Sequence, residues 1–240
     1  MKSTHPGESV HLFATEEIEC SYLPGEISSN HVIDPNFTMD ATVYSVLSEQ
    51  GFRRSGNQVY RPGCKHCQQC IATRIEVSNF VLSRRFKRIV NKNKDLQFSI
   101  VNNINGEEYY QLYKRYINQR HFNGPMNPPS KQQYDEFLKC NWMHSQYLEW
   151  RLNDVLICIA VTDDLDNAFS AIYTFFDPSH AKRSLGTLGV LEQINQALIQ
   201  AKEYLYLGYW IEESRVMQYK IQFQPLMGFI EGKWQPLVIK

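Results

Sequence analysis

Apolar positions in this chain follow two periods, and the change between them falls near residue 147. Upstream, helical spacing dominates. Val43, Val46 and Leu47 make a short apolar stripe over 39–50, with Asp40 placed to cap its start and Gly51 after its last turn. Asn105 opens a second helix in which Tyr109, Leu112, Tyr113, Tyr116 and Ile117 recur on one face, a stripe that belongs in a core. A Pro- and Asn-rich loop over 123–129 follows, and Ser130 caps another helix. Between these helices the residues 52–61 alternate toward a hairpin turning at Ser55-Gly56-Asn57, and 74–77 and 97–101 read as strands. The stretch 84–93 is basic and helical without a full apolar face. Downstream of 147, runs over 147–152, 155–162 and 168–176, parted by polar turns, predict an antiparallel meander. A helix over 188–204 and a strand over 206–211 come next. The expected class is α/β of the α+β kind. Meander, helix, strand is the central order of an acetyltransferase-like (GNAT-like) domain, placed at 97–235, behind an N-terminal cysteine-containing module at 12–80.

Composition agrees with a folded chain, since 43% of the 240 residues are apolar and 13% aromatic. The longest purely apolar run, Val155 to Val161, is too short to span a bilayer, and residues 1–8 have no apolar segment of a secretory signal. Six cysteines, three of them within seven positions, suit metal or redox chemistry in a reducing compartment better than a disulfide framework. The expected location is the cytoplasm, away from membranes.

Net charge is zero but unevenly spread. From Gly51 to Lys94 the bases are Arg53, Arg54, Arg61, Lys65, Arg74, Arg84, Arg85, Lys87, Arg88, Lys92 and Lys94, against Glu76 alone. The first fifty residues are acidic. This asymmetry fits a polyanion-facing surface, or equally a basic segment paired with the acidic one.

Cys64, Cys67 and Cys70 stand at C-x-x-C-x-x-C spacing, which gathers their sulfurs on a tight turn, and Cys20 is the candidate for a fourth ligand. Sulfur-only ligation suits zinc or an iron-sulfur cluster, and reduced thiols without metal are the alternative. His66, inside the knuckle, is a weaker candidate; His31 and His144 read as surface or capping residues, and Cys140 and Cys158 as inert cysteines in a helix and a strand. Between meander and helix, Arg183-Ser184-Leu185-Gly186-Thr187-Leu188 partly matches a pyrophosphate-wrapping turn of coenzyme A enzymes, with Leu188 where a small residue is needed. Other nucleophile, zinc-protease and phosphate-loop motifs are missing.

Longer strings narrow the choice. Cys20-Ser21-Tyr22-Leu23-Pro24, Gly51-Phe52-Arg53-Arg54-Ser55-Gly56, Tyr60-Arg61-Pro62, the cysteine knuckle, and Tyr116-Ile117 with Arg120-His121 resemble the bacterial aspartate/glutamate leucyltransferases, relatives of the arginyl-tRNA–protein transferases. Ser170 to Pro178, Arg183 to Gly186, Tyr206 to Ile211 and Met217-Gln218-Tyr219-Lys220 are similar to the same family, so the likeness covers roughly residues 12 to 235. Departures are Val81 to Arg88, where the family has Pro-Ser-x-Ser-Gln-Arg-Arg, and Ser214, where a cysteine is common. The resemblance implies transfer of leucine from leucyl-tRNA to the α-amine of proteins beginning with Asp or Glu, which makes an N-degron for proteolysis. It implies no nucleotide cofactor, no coenzyme A and no DNA partner. Within it, Arg53, Arg54, Arg61 and Arg74 are expected to include a clamp for the acidic side chain, because Arg presents a bidentate fork to carboxylate. Arg84, Arg85, Lys87 and Arg88 are expected on tRNA phosphates, and Tyr173, Tyr209 and Lys220 in the acyl-transfer site. Arginyl transfer, a non-catalytic metal-containing RNA-binding module and an acetyl-coenzyme A enzyme are the other readings.

Overall fold

The computed structural model describes residues 10–238, so the segment 1–8 read above for export signals lies outside the described residues. Strands β1 (Leu12–Ala14), β2 (Ile18–Glu19), β3 (Ile27–Ser28) and β4 (Asn30–Ile33) precede helix α1 (Ala41–Glu49). Asp40 caps α1 by accepting from the Val43 N–H at 2.8 Å. The buried face of α1 is Tyr44, Leu47 and Ser48, while Val46 is 52% exposed, a correction to the expected stripe. Steps of three and four residues from Tyr44 set the true face, with the tyrosine as its anchor.

β5 (Arg53–Ser55) and β6 (Gln58–Pro62) form the expected hairpin, and the cysteine loop then leads into β7 (Ile71–Glu76). α2 (Arg84–Lys92) is capped by Ser83 and anchored only by Phe86 and Ile89. β8 (Gln97–Val101), α3 (Glu107–Arg120) and α4 (Lys131–Leu138) follow. α4 stops before Cys140, which therefore lies in a half-buried coil and not in a helix. The meander is β9 (Ser145–Leu152), β10 (Val155–Asp164) and β11 (Ala168–Phe176), then α5 (Leu185–Ile199), β12 (Tyr204–Trp210), β13 (Leu226–Ile230) and β14 (Lys233–Pro236). α5 ends five residues before the expected 204. Ala201 takes φ 54°, and the N–H groups of Ala201 and Lys202 close back on the carbonyls of Leu198 and Ala197. This is a Schellman stop made without the glycine that would have announced it.

Three sheets result. A four-stranded sheet runs β1-β4-β6-β5, β2 and β3 form a ribbon, and an eight-stranded sheet runs β14-β13-β7-β12-β11-β10-β9-β8. In the large sheet only β11 and β12 are parallel, joined by the crossover helix α5. β10 explains the layers. Cys158 and Ala160 pack with α5 residues such as Leu188 and Leu191, while Ile159 and Val161 pack on the other side with Leu112, Tyr113 and Ile117 of α3. A strand covered on both faces needs an unbroken apolar run, which is what Val155 to Val161 supplies. The fold is mixed α/β. β7, from the N-terminal half, lies between β12 and β13, so the two halves of the chain share one sheet.

Candidate functional site

The elements around β7 gather most of the residues singled out by sequence. Cys20 follows β2 in the small ribbon, and Cys64, Cys67 and Cys70 occupy the loop from β6 to β7; all four are free, half-buried thiols. The Cys70 thiol is pushed up to about 12, by burial first and then by Cys64, Cys20 and Cys67. Cys64, Cys67 and Cys70 line one cavity and Cys20 acts on Cys70 electrostatically, a donor chemistry that suits a thiophilic metal. Among the described residues, however, no group of three or more His, Cys, Asp or Glu side chains is drawn into metal-holding geometry.

The four candidate arginines have different surroundings. Arg54 is fully buried against Asp163, with Nε 2.5 Å from Oδ2 and Nη2 2.6 Å from Oδ1, and Ser145 Oγ donates to the same carboxylate at 2.7 Å. Burial alone would push this guanidinium down, yet Asp163 outweighs it and holds it above its ordinary value. Arg53 is also buried, donating to the carbonyls of Phe52, Ser48 and Thr73 beneath the Tyr206 ring. Arg74 is sandwiched between Tyr204 at 3.7 Å and Trp234 at 4.4 Å. Arg61, half-buried over the Phe52 ring at 4.9 Å, faces a cleft of about 440 Å³. Cys64, Cys67, Cys70, Tyr209 and His31 line the same cleft. His31, read from sequence as a surface or capping residue, is half-buried and lines this cleft. Its signal was its pairing opposite Arg61 across β4 and β6, which no local pattern reveals.

Lys220 and Tyr209 stand together at the β12 side. A bulge between Tyr206 and Gly208, with Gly208 at φ 77°, breaks the ladder to β7 and re-aims the strand at this point. The Lys220 ammonium donates to the Tyr209 carbonyl. Lys220 is pushed down to about 7 by burial and then by Arg53, with Cys70 acting the other way. The Tyr209 hydroxyl lies 2.8 Å from the Gly51 carbonyl and 3.3 Å from that of Tyr60, and burial holds its ionisation well above the usual range. Tyr173 sits apart from this pair, in an aromatic group with Phe137 at 5.1 Å, Tyr116 at 6.1 Å and Tyr113 at 6.5 Å. Tyr22, two residues from Cys20 and 46% exposed, has its ionisation disfavoured by burial, then by Cys70 and Cys20. His121, at the C-terminal end of α3, stacks edge-on to Tyr116 at 5.2 Å and is held below its ordinary value by burial and Arg120.

Arg84, Arg85, Lys87 and Arg88 all lie on the exposed side of α2, and among the described residues none of the four has a carboxylate partner. Arg183 is occupied: it holds Asp95 through two bonds of 2.8 and 2.9 Å and also donates to the Lys92 carbonyl. Among the described residues no helix is long and apolar enough to cross a membrane.

Comparison with known proteins covers both halves of the chain. Residues 18–88 match the N-terminal model of the arginine-tRNA-protein transferases, and residues 108–230 match the C-terminal one. An aspartate/glutamate leucyltransferase of Saccharophagus degradans is 46% identical over 224 residues, covering 93% of this chain and 95% of that protein. One from Pseudomonas aeruginosa is 45% identical over 226 residues, covering 94% of this chain and 96% of that protein. Among solved structures, the C-terminal domain of a lysylphosphatidylglycerol synthetase from Agrobacterium fabrum superposes with a TM-score of 0.45 at 12% identity, over 60% of this chain and 47% of that one.

Proposed function

The chain belongs to the arginine-tRNA-protein transferase family, and on that premise we propose that it moves leucine from leucyl-tRNA to the α-amine of proteins beginning with Asp or Glu. The observation that carries this reading is the presence of both family segments in one chain, beside relatives named for leucine transfer to aspartate and glutamate. The product bears an N-terminal leucine, a destabilising residue that directs it to degradation in the cytoplasm.

The chemistry asks little of a nucleophile. The amine nitrogen attacks the ester carbonyl, a C–N bond forms, the C–O bond to the terminal ribose breaks, and the amine proton leaves with the ribose oxygen. An α-amine with a pKa of about 7.7–8.0 is partly neutral near pH 7, and the ester is already activated, so no nucleotide cofactor or coenzyme A enters. What the protein supplies is alignment and stabilisation of the developing oxyanion. In this reading Tyr209 and Lys220, paired at the β12 bulge, and Tyr173, from the separate aromatic group with Phe137 and Tyr116, contribute to the acyl-transfer site. The acidic side chain of the acceptor is taken by a guanidinium among Arg53, Arg54, Arg61 and Arg74, and Arg84, Arg85, Lys87 and Arg88 on α2 meet tRNA phosphates.

The meander, crossover helix α5 and parallel strand β12 support an acetyltransferase-like arrangement for 97–235, whose sheet also takes in β7 from the cysteine and arginine segment at 12–80. For Cys20, Cys64, Cys67 and Cys70 we favour a structural zinc or iron-sulfur centre. A bound cation there would relieve the repulsion among these cysteines, which adds to burial in raising the Cys70 thiol, and would cross-link the β2–β3 ribbon to the β6–β7 loop.

The deciding assay is transfer of labelled leucine, with labelled arginine in parallel, from charged tRNA onto reporters starting with Asp, Glu or Ala. Leucine on Asp and Glu alone supports the proposal. Arginine transfer is the second reading, favoured by the description of both matching family models, and would move the donor pocket while keeping the mechanism. Salt-sensitive RNA binding without transfer of either would leave an RNA-binding module.

A further inference from the structure

We infer that Arg61, in the cleft between β6, the cysteine loop and β12, is the residue that recognises the acidic side chain of the acceptor, a reading that rests on the proposed transfer to N-terminal Asp and Glu. The other three candidates are buried and none of them lines this cleft, although the Nε atoms of Arg53 and Arg74 have no hydrogen-bond partner among the described residues. Arg54 is saturated by Asp163, Arg53 is spent on backbone carbonyls under Tyr206, and Arg74 is enclosed between two aromatic faces. Of the four, Arg61 is the one that lines this cleft, and among the described residues its guanidinium rests on the Phe52 ring without an ion-pair partner.

Three features of the cleft favour a carboxylate. Its lining contains no Asp or Glu, and Arg61 has no carboxylate partner among the described residues. Its second basic side chain, His31, is directly opposite Arg61 in the β4–β6 ladder, so both project from the same face of that sheet. The imidazole lies flat against Gly63, where any Cβ would come within 2.8 Å of the ring, so the glycine fixes how close the histidine can settle. At about 440 Å³ the cavity is of the size that small-ligand sites use, which suits one terminal residue and not a helix of nucleic acid. A guanidinium fork there can take either carboxylate oxygen pair, Asp or Glu, and Tyr209, whose carbonyl holds the Lys220 ammonium, lines the same cleft.

The test compares wild type with Arg61→Gln and Arg61→Lys on peptides beginning with Asp, Glu, Asn or Ala. Peptide Kd is read by fluorescence anisotropy, alongside transfer kinetics and the Kd for leucyl-tRNA. Arg61→Gln is expected to raise Kd and KM for Asp and Glu peptides by about 10- to 100-fold, as loss of a charged hydrogen bond predicts, to leave leucyl-tRNA affinity unchanged, and to erase the preference for Asp over Asn. Arg61→Lys, which keeps charge but not the fork, should fall between and serves if the Gln variant does not fold. Unchanged preference for Asp over Asn in either variant overturns the assignment. Weakened leucyl-tRNA binding with that preference intact also overturns it and gives the cleft to the tRNA. A wild type that binds Asp over Asn peptides through Arg61 but transfers no leucine would sink the leucyl-transfer reading and leave the assignment standing.

Discussion

Removing Asp163 should expose how strongly the small sheet is held to the large one. Arg54 belongs to β5 and Asp163 to β10, and both side chains are 0% exposed, so Asp163→Ala leaves a guanidinium buried with no counter-charge. Breaking one side of such a pair costs about 3–5 kcal/mol, because the surviving ion keeps its desolvation penalty and loses the attraction that offset it. For a chain of this size each kcal/mol moves Tm by about 2–4 °C, so Tm should fall by roughly 6–20 °C. Ser145 loses its acceptor as well, which places the effect toward the upper part of that range. The paired replacement Arg54→Met with Asp163→Leu removes both charges and should recover most of the loss, since well-packed apolar groups can replace a buried ion pair at little cost. Urea denaturation of Arg54→Met, Asp163→Leu, their double variant and wild type yields the coupling energy directly. Because solvent ions do not reach the pair, the coupling should persist at high salt. A loss below about 1 kcal/mol for Asp163→Ala, or a double variant as unstable as the two singles summed, would refute the reasoning.

Replacing Arg84, Arg85, Lys87 and Arg88 by Gln one at a time should weaken tRNA binding modestly and evenly across sequences, with the salt dependence of log K falling by about 0.7–0.9 per lost phosphate contact; salt titrations of leucyl-tRNA affinity measure it. Lys220 titrates near 7 when folded and near its ordinary 10.5 when unfolded, so the unfolded chain binds the extra proton between these values and stability should rise with pH across them. The penalty is complete below the folded value and fades toward the unfolded one, spanning up to about 4–5 kcal/mol. Lys220→Met should flatten that rise in urea melts taken at about pH 6 and about pH 9. Protein purified without chelator should carry zinc or iron by elemental analysis, and Cys70→Ser should lose the metal and lower Tm, whereas Cys158→Ser, in the core far from the cluster, should lower Tm without changing metal content.

What could be read from the chain was whatever leaves a local period. The β10 run and the α3 stripe were legible because burial on two faces or on one dictates which positions are apolar. The stop of α5 was not, because Ala201 takes the left-handed conformation that sequence reading assigns to glycine or asparagine. β13 and β14 were not anticipated either; Gly228 and Pro236 dilute their alternation, and their pairing depends on β7, far away in sequence. The candidate site followed the same rule. Spacing gathered Cys64, Cys67 and Cys70, but nothing local distinguishes Arg53, Arg54, Arg61 and Arg74 from one another. Their difference lies in partners supplied by distant elements: Asp163, Tyr206, Trp234, or an open cleft.

The position of β7 between β12 and β13 constrains how the chain can be made and inherited. As synthesis proceeds, the strand that leaves the cysteine loop is finished early but has no edge to join until the segment from Tyr204 onward has emerged, so its unpaired backbone must wait in a solvated or non-native state. Closure of the sheet is then a late, long-range event, of the kind that makes folding slow. The same interlock limits recombination. An N-terminal half exchanged between two relatives would have to arrive with strand faces matched to β12 and β13 of its new host, so the cysteine loop and the sheet beneath it are expected to change together over evolution and not as separate modules.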